Sequence, residues 1–502
     1  MLGVFDAALL VLGASRSLGV EVFDARLGVP SPPVGPRGVV FVDAGSRVVR
    51  RGAGEASVVK LSAVLREAGS WRVLHPAVPG GRRLPFLAVD VGGPVRAGLV
   101  YLVELASLLS WLAEGVEAVV KHGPLQQVYF YLNRRFDVPR RVVEAGLRYA
   151  GLGDELVGEV LEGSELCSER GVHNLGLAML AVLSRLRGHA GRGAAVAGVV
   201  EDVSRSRVLL LSLIEEAVAG AWRRAGGGPL VSAAEVGRLL HEAAVEALEE
   251  AAARAGYGGV EGFLGDCLCG AGGPADRDVF EGFVAALAGE LRRYTQMGPG
   301  SAPRGLLGLA ASRLLRGVGD APLLAWLYYL GAGGGAVATA PRAGYVAFRA
   351  AVEELERRRR ELAACRGDVE GLAGPLLAVW SFYLAPDPPP SCSDLRGLAG
   401  GAAPPCMVAR ALRVPVPFRV EILAPGPGAW PPRGPLGDVV GLLYWSARLA
   451  AYKYPAPLLL ADRFSRVGPG EAEAAGLLAE LLSRRRAPYS MVLHGWETRA
   501  TM

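Results

Sequence analysis

Gly38-Val39-Val40-Phe41-Val42-Asp43-Ala44-Gly45-Ser46-Arg47 is the stretch on which the fold turns. Residues 39–42 are too few for a helix and rich in β-branched side chains, so they read as a buried strand. On this reading the strand ends at Asp43, where core gives way to solvent or ligand. An acid at the mouth of a buried strand suits metal-dependent phosphodiester chemistry. The competing role is an Asp capping the turn that Gly45 and Ser46 would make.

Working outward, residues 56–61 read as a second strand in a hairpin across 50–54, and the apolar run 84–91 as a third. Residues 95–114 place Leu102, Leu105, Leu108, Leu109 and Leu112 at helical spacing, with Glu104 among them. Residues 116–125 then read as a strand that ends in His122 and a Gly-Pro stop. Strands, a helix and another strand make an α/β fold. Residues 1–25 read as a leading helix and 30–36 as a connector.

From 126 to about 330 the chain reads as mostly helical, with amphipathic helices at 208–256 and 276–330. The exception is 194–207, where Val196, Val199, Val200 and Val203 mark a strand. Residues 353–361 read as a solvated, charged helix face. Strand character returns at 376–384 and at 417–423, which alternates. A helix follows at 436–452, and the run 453–463 reads as a last strand ending in Asp462. The expected organisation is a core opened by 1–125, interrupted by a mainly helical insertion at 126–375 that keeps one core strand near 194–207, and closed by 376–502.

The composition sets outer bounds. Of 502 residues, 51% are hydrophobic and 21% charged, which supplies a sizeable core. A net charge of +5 is compatible with a nucleic-acid partner without arguing for one. The 6 cysteines are scattered, and Cys267-Leu268-Cys269 lacks the second pair that zinc spacing needs. Scattered cysteines fit a reducing compartment. Asp6 stands where a signal peptide would be basic, and no apolar run of about 18 residues escapes a charge. The expectation is a cytoplasmic protein with no membrane span.

Asp43, Glu104, His122 and Asp462 stand at comparable places, three expected at strand ends and one on the helix between them. Carboxylates and an imidazole converging at one sheet edge would suit Mn²⁺ or Mg²⁺. Two ions about 3.5–4 Å apart would activate a water and stabilise the leaving oxygen of a phosphodiester. Asp90 is a spare acid at another strand end, and Arg484-Arg485-Arg486 is a basic run suited to a DNA backbone or to a helix C-terminal cap.

These same segments, in this order, resemble the NurA family of archaeal and bacterial DNA nucleases. The resemblance runs from the Asp43 strand through the Glu104 helix to His122-Gly123-Pro124-Leu125. It resumes at Val199-Val200-Glu201-Asp202-Val203, at Phe418-Arg419-Val420-Glu421, and at Tyr454-Pro455-Ala456-Pro457-Leu458 leading to Asp462. It implies an RNase H-like sheet, a ring-like homodimer, Mn²⁺-dependent DNA cleavage, and partnership with the HerA hexameric translocase in end resection. It also implies Asp43, Glu104, His122 and Asp462 as metal-binding and catalytic residues, with Tyr454 and Arg47 contacting substrate.

The chain departs from the family pattern at informative places. His122 stands where the family has Asp, Asp462 where it has His, and Glu201 where it has Lys. The first motif carries an extra Ala44. A reciprocal exchange of Asp and His conserves the ligand inventory, which favours retained nuclease chemistry. The alternative is a catalytically degenerate paralogue serving as a structural or HerA-binding subunit.

Overall fold

A computed structural model describes residues 38–51, 54–67, 69–74, 86–201, 249, 252–253, 256–267, 320, 336–338, 343–362, 368–385, 418–424, 434–450 and 454–475. The expected helix at 1–25, the connector at 30–36, most of the helices at 208–256 and 276–330, and the basic run at 484–486 lie outside them. The chain divides into two compact units, one of residues 30–200, 347–380 and 420–502, the other of 1–29, 201–346 and 381–419.

In chain order the strands are β1 (Gly38–Arg51), β2 (Gly54–Glu67), β3 (Ser70–Leu74), β4 (Leu87–Val89), β5 (Ala118–His122), β6 (Asp137–Pro139), β7 (Glu165–Leu166), β8 (Glu169–Asn174), β9 (Ala195–Val200), β10 (Ala336–Ala338), β11 (Val379–Leu384) and β12 (Phe418–Leu423). The longer helices of the first unit are α1 (Gly93–Ala113), α2 (Arg140–Tyr149), α3 (Asp154–Ser164), α4 (Leu175–Gly191), α5 (Ala343–Arg357), α6 (Pro435–Leu449) and α7 (Ala456–Ser465).

The first unit is built on a mixed sheet ordered β12-β9-β5-β1-β2-β3, with β4 also paired to β2. The strands β1, β2 and β3 form an antiparallel meander. Next to it, β5 runs parallel to β1 and β9 parallel to β5. This is the order of an RNase H-like α/β sheet. Residues 39–42 are fully buried on both faces, which explains an unbroken apolar run where a one-sided sheet would alternate.

Helix α1 covers one face. It is the one helix among the described residues long and apolar enough to cross a membrane, but 78% of its apolar window is buried inside the protein. Helix α7 covers the other face, where Ser62 Oγ of β2 donates to the Ala461 carbonyl. In the second unit, β10 pairs antiparallel with β11, and Tyr383 Oη donates to buried Asp320 at 2.7 Å.

Several expectations are corrected. Asp43 does not end its strand: β1 continues to Arg51, paired residue for residue with β2, and Gly45 and Ser46 make no turn. The run 453–463 is not a strand, because Pro455 and Pro457 open helix α7 and Asp462 sits in that helix's last turn. Proline is tolerated in a first helical turn, where its missing N–H has no partner to lose. Strand β12 has no exposed face, since all six of its residues are buried. The charged face at 353–361 is not wholly solvated. Arg358 is buried and makes two hydrogen bonds to Asp137, at 3.1 and 2.8 Å. The small sheet ordered β6-β8-β7 and the edge strand β3 had no sequence signal: the former's strands are short and mostly polar, and β3 is a five-residue run whose Trp71 and Val73 are exposed and not core. Cys167 is disulfide-bonded rather than a free thiol.

Candidate metal centre

The centre begins with the pleat. Successive strand residues point to opposite faces, and β5 ends in Lys121 and then His122. Its register with β1 pairs Lys121 with Val42, so His122 follows Asp43 onto the face covered by α7. Lys121 points instead to the face covered by α1. His122 Nδ1 lies 3.0 Å from Asp43 Oδ1. Ser465, at the end of α7, donates its hydroxyl to Asp43 Oδ2.

Asp462 lies one turn back along α7. The ligand atoms of Asp43, His122 and Asp462 lie within 4.8 Å of one another. Asp43 is buried, while His122 and Asp462 are half-buried, so the group opens to solvent on one side. Asp462 Oδ2 pairs at 2.5 Å with Arg466, and not with the adjacent Arg463.

The close seating of α7 on β1 depends on Gly45. A Cβ there would lie 2.3 Å from the Ser465 carbonyl oxygen. Gly45 therefore allows the helix end that carries Asp462 and Ser465 to approach Asp43.

His122 is held from its other side by the Gly-Pro loop. Gly123 adopts φ +93°, a conformation suited to glycine, and its N–H donates to the Val199 carbonyl at 2.6 Å. Tyr101 Oη donates to the Pro124 carbonyl at 2.7 Å. Fully buried Glu421 accepts from Leu125 N, Gln126 N and Gln126 Nε2 at 2.6, 3.0 and 2.9 Å. Sequence reasoning singled out the Glu421 motif without assigning this scaffold role.

Glu104 stands apart from the three-ligand group. Its Oε1 accepts from the Ala44 N–H at 3.1 Å, and its Oε2 pairs with Lys121 Nζ at 2.6 Å. Lys121 is buried, donates also to the His122 carbonyl, and lies 4.4 Å from the centre of the Tyr101 ring. Lys121 and Ser465 were both missed by sequence reasoning. A single Lys in an apolar strand and a Ser in a helix's last turn carry no motif.

The electrostatics follow from burial and these partners. Burial pushes the Asp43 carboxyl up, but the hydrogen bonds and charges of His122, Ser465 and Lys121 outweigh it and leave it below its ordinary value. Burial pulls the His122 imidazole down, but the hydrogen bond and charge of Asp43, with the charge of Glu104, leave it above its ordinary value. For Glu104, burial dominates and leaves its carboxyl raised against the pull of Lys121.

The remaining candidates are placed as follows. Tyr454 is buried, donates to the Val199 carbonyl at 3.2 Å, and meets the His122 ring edge-on at 5.8 Å between centres. Arg47 is exposed on β1, on the same strand face as Asp43. Asp90 and Glu201 are exposed.

Two carboxylates and one imidazole, close enough to share one ion, are a donor set that fits Mn²⁺. No family model matches the chain, and no curated protein matches it. It is similar to solved structures of NurA proteins. One is the NurA nuclease from Sulfolobus solfataricus, at 11% identity and TM-score 0.37, covering 95% of this chain and 92% of that one. Another is NurA bound to dAMP and manganese, at 12% identity and TM-score 0.28, covering 89% of each chain. A third is NurA with manganese, at 10% identity and TM-score 0.28, covering 94% of this chain and 93% of that one.

Proposed function

We propose that this chain is a metal-dependent DNA nuclease whose Mn²⁺ ion is held by Asp43, His122 and Asp462. The observation that carries the reading is the convergence of those three side chains, from two strands and a helix far apart in sequence, within 4.8 Å. A bound ion of this kind supplies a Lewis acid and a nucleophilic water for phosphodiester hydrolysis. The chain's own part is positional: Ser465 and His122 fix both Asp43 oxygens, and the Gly123 loop fixes His122. Exposed Arg47 supplies a cation for a backbone phosphate.

The proposal takes in Mg²⁺ as a substitute metal, a homodimer, and action beside a HerA-type hexameric ATPase in DNA end resection and double-strand break repair. The test is cleavage of end-labelled single- and double-stranded DNA with Mn²⁺, alone and with the ATPase. Asp43→Asn and His122→Gln serve as controls. Cleavage by the natural chain that is lost in both variants supports the reading. Cleavage that survives Asp43→Asn defeats it.

A second reading, a binding subunit without catalysis, draws on the Asp462–Arg466 pair, which satisfies a candidate ligand with an internal cation. No cleavage under any condition, with ATPase binding intact, would select it.

A further inference from the structure

We infer that the centre takes a single divalent ion per chain, because the Lys121 ammonium already serves as the cation for Glu104. This rests on the metal-binding reading above and deepens it. Glu104 is the acid that a second ion would most naturally recruit, being buried and adjacent to the strand that carries Asp43. What separates it from Asp43, whose oxygens are also hydrogen-bonded but adjoin half-buried His122 and Asp462, is that Glu104 is sealed against a fixed ammonium. One Glu104 oxygen accepts the Ala44 N–H at 3.1 Å, and the other faces Lys121 Nζ at 2.6 Å.

Lys121 is fixed as firmly as its partner. Its side chain is 1% exposed, its Nζ donates to the His122 carbonyl at 2.8 Å, and the face of Tyr101 lies 4.4 Å away. A Cβ at Gly123 would lie 3.1 Å from that Nζ, so the positive-φ glycine also makes room for the ammonium. A buried carboxylate needs a positive partner. Here a covalently attached one lies on the sheet face opposite His122. Glu104 and Lys121 are thus a positioning pair: one end holds the β1 backbone beside Asp43, the other holds the β5 backbone at His122. Neither contributes a ligand.

The test is Mn²⁺ stoichiometry and affinity, read on the full chain by electron paramagnetic resonance of free Mn²⁺ and by calorimetry, without recourse to cleavage. The expected result is one ion per chain. Asp43→Asn should weaken binding by about 100-fold or more, the upper end of what supporting residues cost. Glu104→Gln should keep one ion and stay within about 10-fold of the natural affinity, the lower end of that range. The double variant Lys121→Met/Glu104→Gln removes both charges together and should also keep one ion, which guards against misfolding of a single variant. Two ions on the natural chain would overturn the inference while leaving the metal-binding reading standing. Glu104→Gln losing binding as severely as Asp43→Asn would overturn it too. No bound ion at all would overturn both.

Discussion

Lys121 and His122 are neighbours in sequence that serve opposite faces of one sheet. His122 meets Asp43 at 3.0 Å beneath α7, and Lys121 meets Glu104 at 2.6 Å beneath α1. The pleat therefore sorts four ionisable groups into two pairs. One pair opens toward solvent and Asp462, while the other is sealed.

The Asp43–His122 pair gives stability a pH window. His122 is raised above 6.5, so its contribution is complete below that value and is lost as pH rises through the raised one. Asp43 is lowered below 3.8, so its contribution is present above that value and is lost as pH falls through the lowered one. Metal-free protein should exceed Asp43→Asn in Tm most clearly between about pH 4 and 6.5. Mn²⁺ affinity should move the other way and rise with pH, since a proton on His122 competes with the ion. Thermal melts and metal titrations across pH 4–9 read both trends, and a flat affinity profile would contradict the ligand role.

Gly45→Ala should separate α7 from β1. The new methyl meets a backbone carbonyl, which cannot rotate away as a side chain would. A loss of about 1–3 kcal/mol is expected from overpacking. Weakened Mn²⁺ binding should accompany it, because Asp462 moves with the helix. Denaturant melts and metal titration of the same variant check both effects.

Glu421→Leu should cost about 3 kcal/mol or more, because three buried N–H donors around Gln126 lose their acceptor. The stability loss should exceed that of a substitution at exposed Asp90, measured by urea titration.

Arg466→Gln should tighten Mn²⁺ binding by about 2–5-fold, the equivalent of an exposed helical ion pair that no longer holds Asp462. Folding stability should change little. Unchanged affinity would show that Asp462 is not a ligand.

Much of this was legible in the sequence because it was written in periodicity. The first hairpin, α1 with its leucines, β5, β9 and α6 all follow from the spacing of apolar residues. What failed has particular causes. Ala44-Gly45-Ser46 has the composition of a turn, but its glycine answers to a helix that arrives more than 400 residues later, as the separation of 422 between Asp43 and Ser465 shows. The run Leu458-Leu459-Leu460 carries neither a period of 2 nor of 3.6, so it was compatible with either element until its prolines were placed at a helix start. Asp43, His122 and Asp462 were nameable as types of ligand. That Glu104 would be claimed by Lys121 was not, because the face of a strand on which a residue lands depends on register.

The Asp43–Ser465 contact also fixes when the centre can exist. A ribosome delivers Asp43 early, His122 soon after, and the turn bearing Asp462 and Ser465 only when most of the chain has been made. A nascent chain, or one cut short by a premature stop before α7, carries Asp43 and His122 and lacks Asp462. It also lacks the hydroxyl that steadies the first. Assembly of the group is thus a late event in synthesis, and whatever ion binding it supports belongs to the finished chain and not to a fragment carrying the early strands.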